Sequence, residues 1–113
     1  MANETHIRLQ AKLDEKEKVT EVKTLISHPM ETGQRKDLDT GKLIPAHFIE
    51  EVSCEHNGEM VMSAQWGVGI SANPYLAFQF EGGKIGDKVK LTWKDNQGKT
   101  ETTETEIIAK SDN

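Results

Sequence analysis

The chain has 113 residues, 35% of them hydrophobic and 29% charged, with a formal net charge of −5. That length suits one domain with its own core, read here as residues 1–113 with flexible tails at 1–5 and 110–113, and no apolar run approaches the ~20 residues a membrane-spanning helix needs. The acidic balance argues against nucleic acid or an anionic membrane as main partner, since both are bound chiefly through Lys and Arg, although Arg35-Lys36 offers a local basic pair.

Alternation sets the first element: Ile7, Leu9, Ala11 and Leu13 face one way and Arg8, Gln10 and Lys12 the other, as in a half-buried strand. The charged run Asp14 to Lys18 makes a turn. A second strand spans Val19 to Ser27 and stops at Pro29, which has no N–H to continue a ladder. Met30 to Lys42 carries two glycines and no period, and reads as a functional-length loop or a loose hairpin with its tip at Asp39-Thr40-Gly41-Lys42.

The next hairpin turns at His56-Asn57-Gly58. A two-residue Asn-Gly turn pairs Cys54 with Val61. A three-residue loop instead places Phe48, Val52 and Cys54 opposite Trp66, Met62 and Met60 on one apolar face. A one-residue slip would send that whole set to solvent, so the second register is expected, with Cys54 opposite Met60.

Gly67 to Pro74 forms a long glycine-containing loop, after which a strand buries Leu76, Phe78 and Phe80. Glu81-Gly82-Gly83 turns the chain. Val89, Leu91 and Trp93 alternate with lysines and Thr92, and Asp95-Asn96-Gln97-Gly98 connects tightly to a Thr-rich strand from Thr100 to Ile108. About seven strands at these spacings, with no helical stripe and no repeat, predict an all-β, immunoglobulin-like two-sheet β-sandwich.

Two ordered segments carry more information than the pattern of strands. Ser27-His28-Pro29-Met30-Glu31-Thr32-Gly33 leads into Leu43-Ile44-Pro45-Ala46-His47-Phe48-Ile49, and Trp66-Gly67-Val68-Gly69-Ile70-Ser71-Ala72-Asn73-Pro74-Tyr75 is followed by Gly86-Asp87-Lys88-Val89, Trp93 and Asp95-Asn96. Over roughly residues 6–108 the chain resembles the SoxZ subunit of the SoxYZ carrier complex, which holds sulfur intermediates during thiosulfate oxidation. A chain this short holds only the Z half.

The resemblance implies an immunoglobulin-type sandwich, no catalysis by this chain, no cofactor, and a SoxY-like partner bearing the carrier cysteine in a glycine-flanked C-terminal tail. It also implies transient contact with the other Sox enzymes. The residues Ile108 to Asn113 contain no such cysteine, which agrees with the Z assignment. Met1 to His6 lacks the regions of a secretory signal, which alone points to the cytoplasm, but SoxZ-like proteins are exported together with a signal-bearing SoxY. The expected compartment is therefore the periplasm.

Candidate chemistry is weighed against packing. Cys54 and His56 lie two apart on one strand and share a face, so imidazole activation of a thiolate is conceivable; the favoured reading is that Cys54 packs as a small hydrophobe and His56 is solvent exposed. His28, Met30, His47, His56, Met60 and Met62 include copper-type donors but make no compact motif in sequence, so no metal site is assigned.

His28 to Gly33 serves either as a structural turn or as a partner surface, with Met30 as an adaptable apolar contact and Arg35 as a carboxylate clamp. The second loop offers Val68, Ile70 and Tyr75 on exposed backbone. The expected partner interface is His28, Met30, Glu31, Arg35, Val68, Ile70, Asn73 and Tyr75. Rival readings are a self-associating or metal-binding periplasmic sandwich and a small Cys54-dependent enzyme.

Overall fold

The structure, a computed structural model, describes residues 7–110. The expected tail at 1–5 lies outside that range, as does the expected tail at 110–113 apart from Lys110. Eight strands follow in chain order: β1 (Ile7–Asp14), β2 (Val19–Ile26), β3 (Ile49–His56), β4 (Glu59–Gln65), β5 (Tyr75–Glu81), β6 (Lys88–Asp95), β7 (Thr100–Glu106) and β8 (Ile108–Ala109). They form two four-stranded sheets, β5-β2-β1-β8 and β4-β3-β6-β7. The chain crosses between sheets after β2, after β4, after β5 and after β7, giving the immunoglobulin-type sandwich predicted from the strand spacing. No described helix is long and apolar enough to cross a membrane.

Period-2 patterning builds the core. On β2 the inward set is Thr20, Val22, Thr24 and Ile26, and on β6 it is Val89, Leu91 and Trp93, all buried. These β-branched and aromatic side chains fit a pleated, half-buried surface. Across the sandwich they meet Ile7, Ala11 and Leu13 of β1 and Ile49, Val52 and Cys54 of β3. Ile107, also buried, carries the chain from β7 to β8, which pairs in parallel with β1. The main-chain N–H of Lys110 then bonds to the Leu13 carbonyl, and its ammonium pairs with Glu21 and Asp14.

The β3–β4 hairpin corrects the predicted register. Asn57 and Gly58 have φ of 48° and 88°, a two-residue turn with both central residues left-handed, which Asn-Gly adopts at little cost. The pairs run His56 with Glu59 and Glu55 with Met60, then skip a residue so that Cys54 faces Met62 rather than Met60. Val61 is the extra residue of this β-bulge. The bulge shifts register within the strand, which no choice of turn length can do, so Met62 packs on the core while Met60 is 58% exposed. Cys54 keeps its predicted interior place.

Candidate functional site

Three loops meet at one end of the sandwich: residues 27–48 between β2 and β3, 66–74 between β4 and β5, and 96–99 between β6 and β7. Main-chain and amide bonds fasten them together. Asn73 Oδ1 accepts the His28 N–H at 3.1 Å and the Asn73 N–H donates back to the His28 carbonyl at 2.9 Å. Asn96 does the same for Phe48, accepting its N–H on Oδ1 at 2.8 Å and donating its own N–H to the Phe48 carbonyl at 2.9 Å. Both signature segments of the sequence therefore occupy the same end.

The 27–48 segment is a loose hairpin. Glu31 and His47 exchange main-chain bonds of 2.7 and 3.0 Å, Lys36 bridges to Leu43, and the Asp37 N–H donates to the Lys42 carbonyl at 2.8 Å near the tip. Met30 sits in the left-handed region at φ 48°, unusual for a side chain of that size. Two bonds hold it there: its N–H donates to His28 Nδ1 at 3.1 Å, and its buried sulfur accepts the Ile49 N–H at 3.4 Å. Gly33, at φ 87°, lies against Ala46, where an added Cβ would come within 3.2 Å of the alanine Cβ.

At the base of these loops lies a cluster of His28, His47 and Asp95. Asp95 ends β6, and its Oδ1 accepts the N–H groups of Gln97 and Lys99 at 3.0 and 2.9 Å. Its Oδ2 meets His28 Nε2 at 3.2 Å and His47 Nε2 at 2.8 Å. The side chains of His28 and Asp95 are 3% and 0% exposed, whereas that of His47 is 29% exposed. The imidazoles meet edge to face at 4.6 Å, and His28 meets the Trp93 indole at 5.1 Å.

The tautomer of His28 follows from its neighbours. Nδ1 accepts the Met30 N–H, so neutral His28 carries its proton on Nε2 and donates it to Asp95. Burial holds His28 below the ordinary imidazole value, with the Asp95 carboxylate opposing and the charges of His47 and Lys99 assisting. For Asp95 burial pushes upward, but the Lys99 N–H, the two histidines and the Gln97 N–H together hold the carboxyl below its usual range.

The donor atoms of His28, His47 and Asp95 lie within 4.8 Å of one another, close enough to suggest a metal centre. Structure thus brings together two of the six donor residues that looked scattered in sequence and adds Asp95, which sequence reasoning did not select. The chemistry of the set opposes a metal, however. A ligating histidine normally donates its second ring N–H outward, and the second nitrogen of His28 accepts a bond instead, leaving a proton where the metal would need a lone pair. The arrangement is a hydrogen-bonded His-Asp-His clamp.

Of the residues expected at a partner interface, His28 and Met30 are buried, so they build the loop end from inside and present no surface. Glu31 and Arg35 form a bidentate pair of 3.1 and 2.5 Å, with Arg35 well exposed. That bond to Arg35 chiefly holds the Glu31 carboxyl below its usual range. Val68, Asn73 and Tyr75 are exposed and Ile70 is half-buried against the core.

Cys54 is fully buried, and burial, assisted by the Glu55 charge, pushes its thiol up to about 12. His56 corrects another expectation. It is half-buried, bonds Asp87 Oδ2 through Nε2 at 2.7 Å and packs on Phe80 with ring centres 4.9 Å apart. Its ring nitrogen is engaged by a carboxylate, and the sealed thiol is far from being a thiolate at neutral pH.

The fold and site define an immunoglobulin-type sandwich with one end of tied loops over a buried hydrogen-bond clamp and a sealed cysteine. Residues 7–106 match the family model described as sulphur oxidation protein SoxZ, and the chain belongs to that family. No curated protein matches it.

Proposed function

We propose that this chain is the non-catalytic half of a SoxYZ-like sulfur carrier. It pairs with a SoxY-like subunit, is exported with it to the periplasm, and helps present the partner's cysteine-bound intermediates to the Sox enzymes of thiosulfate oxidation. The observation that carries this reading is the pairing of SoxZ membership with a cysteine unsuited to carrying sulfur: the only thiol in the chain is buried, and burial pushes it up to about 12. The carried sulfur then belongs on another polypeptide. Glu31, Arg35, Val68, Asn73 and Tyr75 supply a mixed charged and apolar surface at the loop end suited to that partner.

Co-purification tests the reading directly, the expected companion being a subunit with a glycine-flanked C-terminal cysteine. Cys54→Ser in the complex is expected to leave sulfur transfer nearly intact. Thiosulfate-dependent turnover by this chain alone, or a sulfur adduct on Cys54, would overturn the proposal.

A further inference from the structure

The clamp contains an asymmetry that packing does not require. Asp95 is fixed by two main-chain N–H groups on one oxygen and by two imidazoles on the other. His28 uses both ring nitrogens, one toward Asp95 and one toward Met30. His47 uses only Nε2, and among the described residues no group bonds its Nδ1. Its main chain is locked on both sides by the bridge to Glu31, and its side chain is the one member of the cluster that reaches solvent.

A buried carboxylate that orients an imidazole through one nitrogen and leaves a lone pair on the other is the arrangement by which a histidine takes a proton from a nucleophile. Here the nucleophile is missing. No hydroxyl of the described residues bonds His47, and the thiol of Cys54 is sealed in the core. The groups around His47 are the carboxylates of Asp95 and Glu31, the latter held by Arg35, and the imidazole of His28 with Lys99 behind it.

Resting on the carrier reading above, we infer that His47 Nδ1 is a proton-accepting site for a thiol brought to the loop end by the partner subunit, with Asp95 as its positioning residue. In the step, the partner's S–H bond breaks, its proton moves to Nδ1, and the electron pair stays on sulfur as thiolate. The resulting imidazolium keeps its Nε2–H bond to Asp95, whose negative charge balances it. No oxidant or reductant is consumed. The chain itself completes no reaction; it readies a nucleophile that belongs to another molecule.

Two measurements test this. In the co-purified complex, iodoacetamide alkylation of the partner cysteine is followed by mass from pH 5 to 9, for wild type and for His47→Gln, which keeps an N–H donor toward Asp95 and removes the base. The variant is expected to react about tenfold more slowly at pH 7, with its profile moved to higher pH. Superimposable profiles in an intact co-purified complex would overturn the inference while leaving the carrier reading standing. Absence of any cysteine-bearing companion would remove both, and is seen before alkylation begins.

The second measurement needs this chain alone. Imidazole ¹⁵N shifts of neutral His47 are expected to show the proton on Nε2 and none on Nδ1, with that preference lost in Asp95→Asn. A proton on Nδ1 in the wild-type chain would overturn the inference whatever the partner does.

Discussion

His28 Nε2 lies 3.2 Å from Asp95 Oδ2, joining residues 67 positions apart at the same end of the sandwich. Neither residue is exposed, so each desolvates the other and each supplies the bond the other would otherwise lack. Asp95 is the hub, since its two oxygens together hold four donors from two connections, 27–48 and 96–99. Asp95→Ala is expected to lower unfolding free energy by about 3–5 kcal/mol, and Asp95→Asn, which turns an amide N–H toward one pair of donors, by about 2 kcal/mol. Urea unfolding measures both. A midpoint equal to wild type in Asp95→Ala would show that the cluster contributes nothing to the fold.

Acid sensitivity follows from the same group. Burial depresses the folded-state pKa of His28 below the ordinary 6.5, so the unfolded chain takes up the proton first. The stability contributed by neutral His28 is full above about pH 6.5 and is lost as pH falls from there toward the folded value. Asp95, depressed below 3.8, adds a separate loss at lower pH, as its carboxylate is protonated. Thermal melts between pH 7.5 and 5 are expected to fall for wild type and to flatten over that window in His28→Gln. An equal slope in the two proteins would assign the loss to other groups.

Two inward threonines on β2 make opposite predictions. Thr20 Oγ1 donates to the Gly82 carbonyl at 2.7 Å, whereas Thr24 Oγ1 is buried without a partner among the described residues. Thr24→Val removes a desolvated hydroxyl and is expected to be neutral or to stabilise by about 1 kcal/mol. Thr20→Val leaves the Gly82 carbonyl short of a donor and is expected to cost about 1 kcal/mol. Opposite signs in one denaturation series are the check.

Gly83, in the turn after β5, combines two constraints. Its φ of 98° lies where L side chains strain, and a Cβ there would run into Thr20 Oγ1 and come within 3.1 Å of Ile107 Cδ1. Gly83→Ala is expected to destabilise by about 2 kcal/mol or more, and Gly82→Ala, at φ 85° with open space beside it, by less. Comparing the two melts separates crowding from backbone strain.

Cys54 is expected to resist a thiol reagent in the folded protein and to react stoichiometrically once the chain unfolds, because its thiol is buried and pushed up to about 12. Rapid labelling under native conditions would contradict the placement.

Strand identities were legible because alternation survives on β1, β2 and β6 almost without interruption, and Pro29 marks where β2 must end. The β3–β4 register was not. Asn57-Gly58 announced its own turn correctly, but the bulge at Val61 answers to tertiary packing, and nothing in Met60-Val61-Met62 says which residue drops out of the ladder.

The SoxZ resemblance drew on the two segments that the fold brings to one end, yet the expected partner interface, argued from side-chain chemistry, included His28 and Met30, which are interior. The clamp itself was hidden by distance. His28 and His47 stand at the two ends of the long 27–48 connection and Asp95 closes β6, so only the packing of that connection over the end of the sandwich makes them neighbours. Asp95 carried the one usable clue: an aspartate ending a strand just before Asn96-Gln97-Gly98 commonly bonds the amides of its own turn.

That local bonding also says in what order the molecule assembles. Asp95 finds the N–H groups of Gln97 and Lys99 within four residues of itself, so the β6–β7 hairpin can shelter its charge before anything distant arrives. The histidines must come from 48 and 67 positions away, at a much greater entropic cost of loop closure. The hairpin is the natural nucleus, and substitutions in it should slow refolding, whereas those at His28 and His47 should act mainly by hastening unfolding.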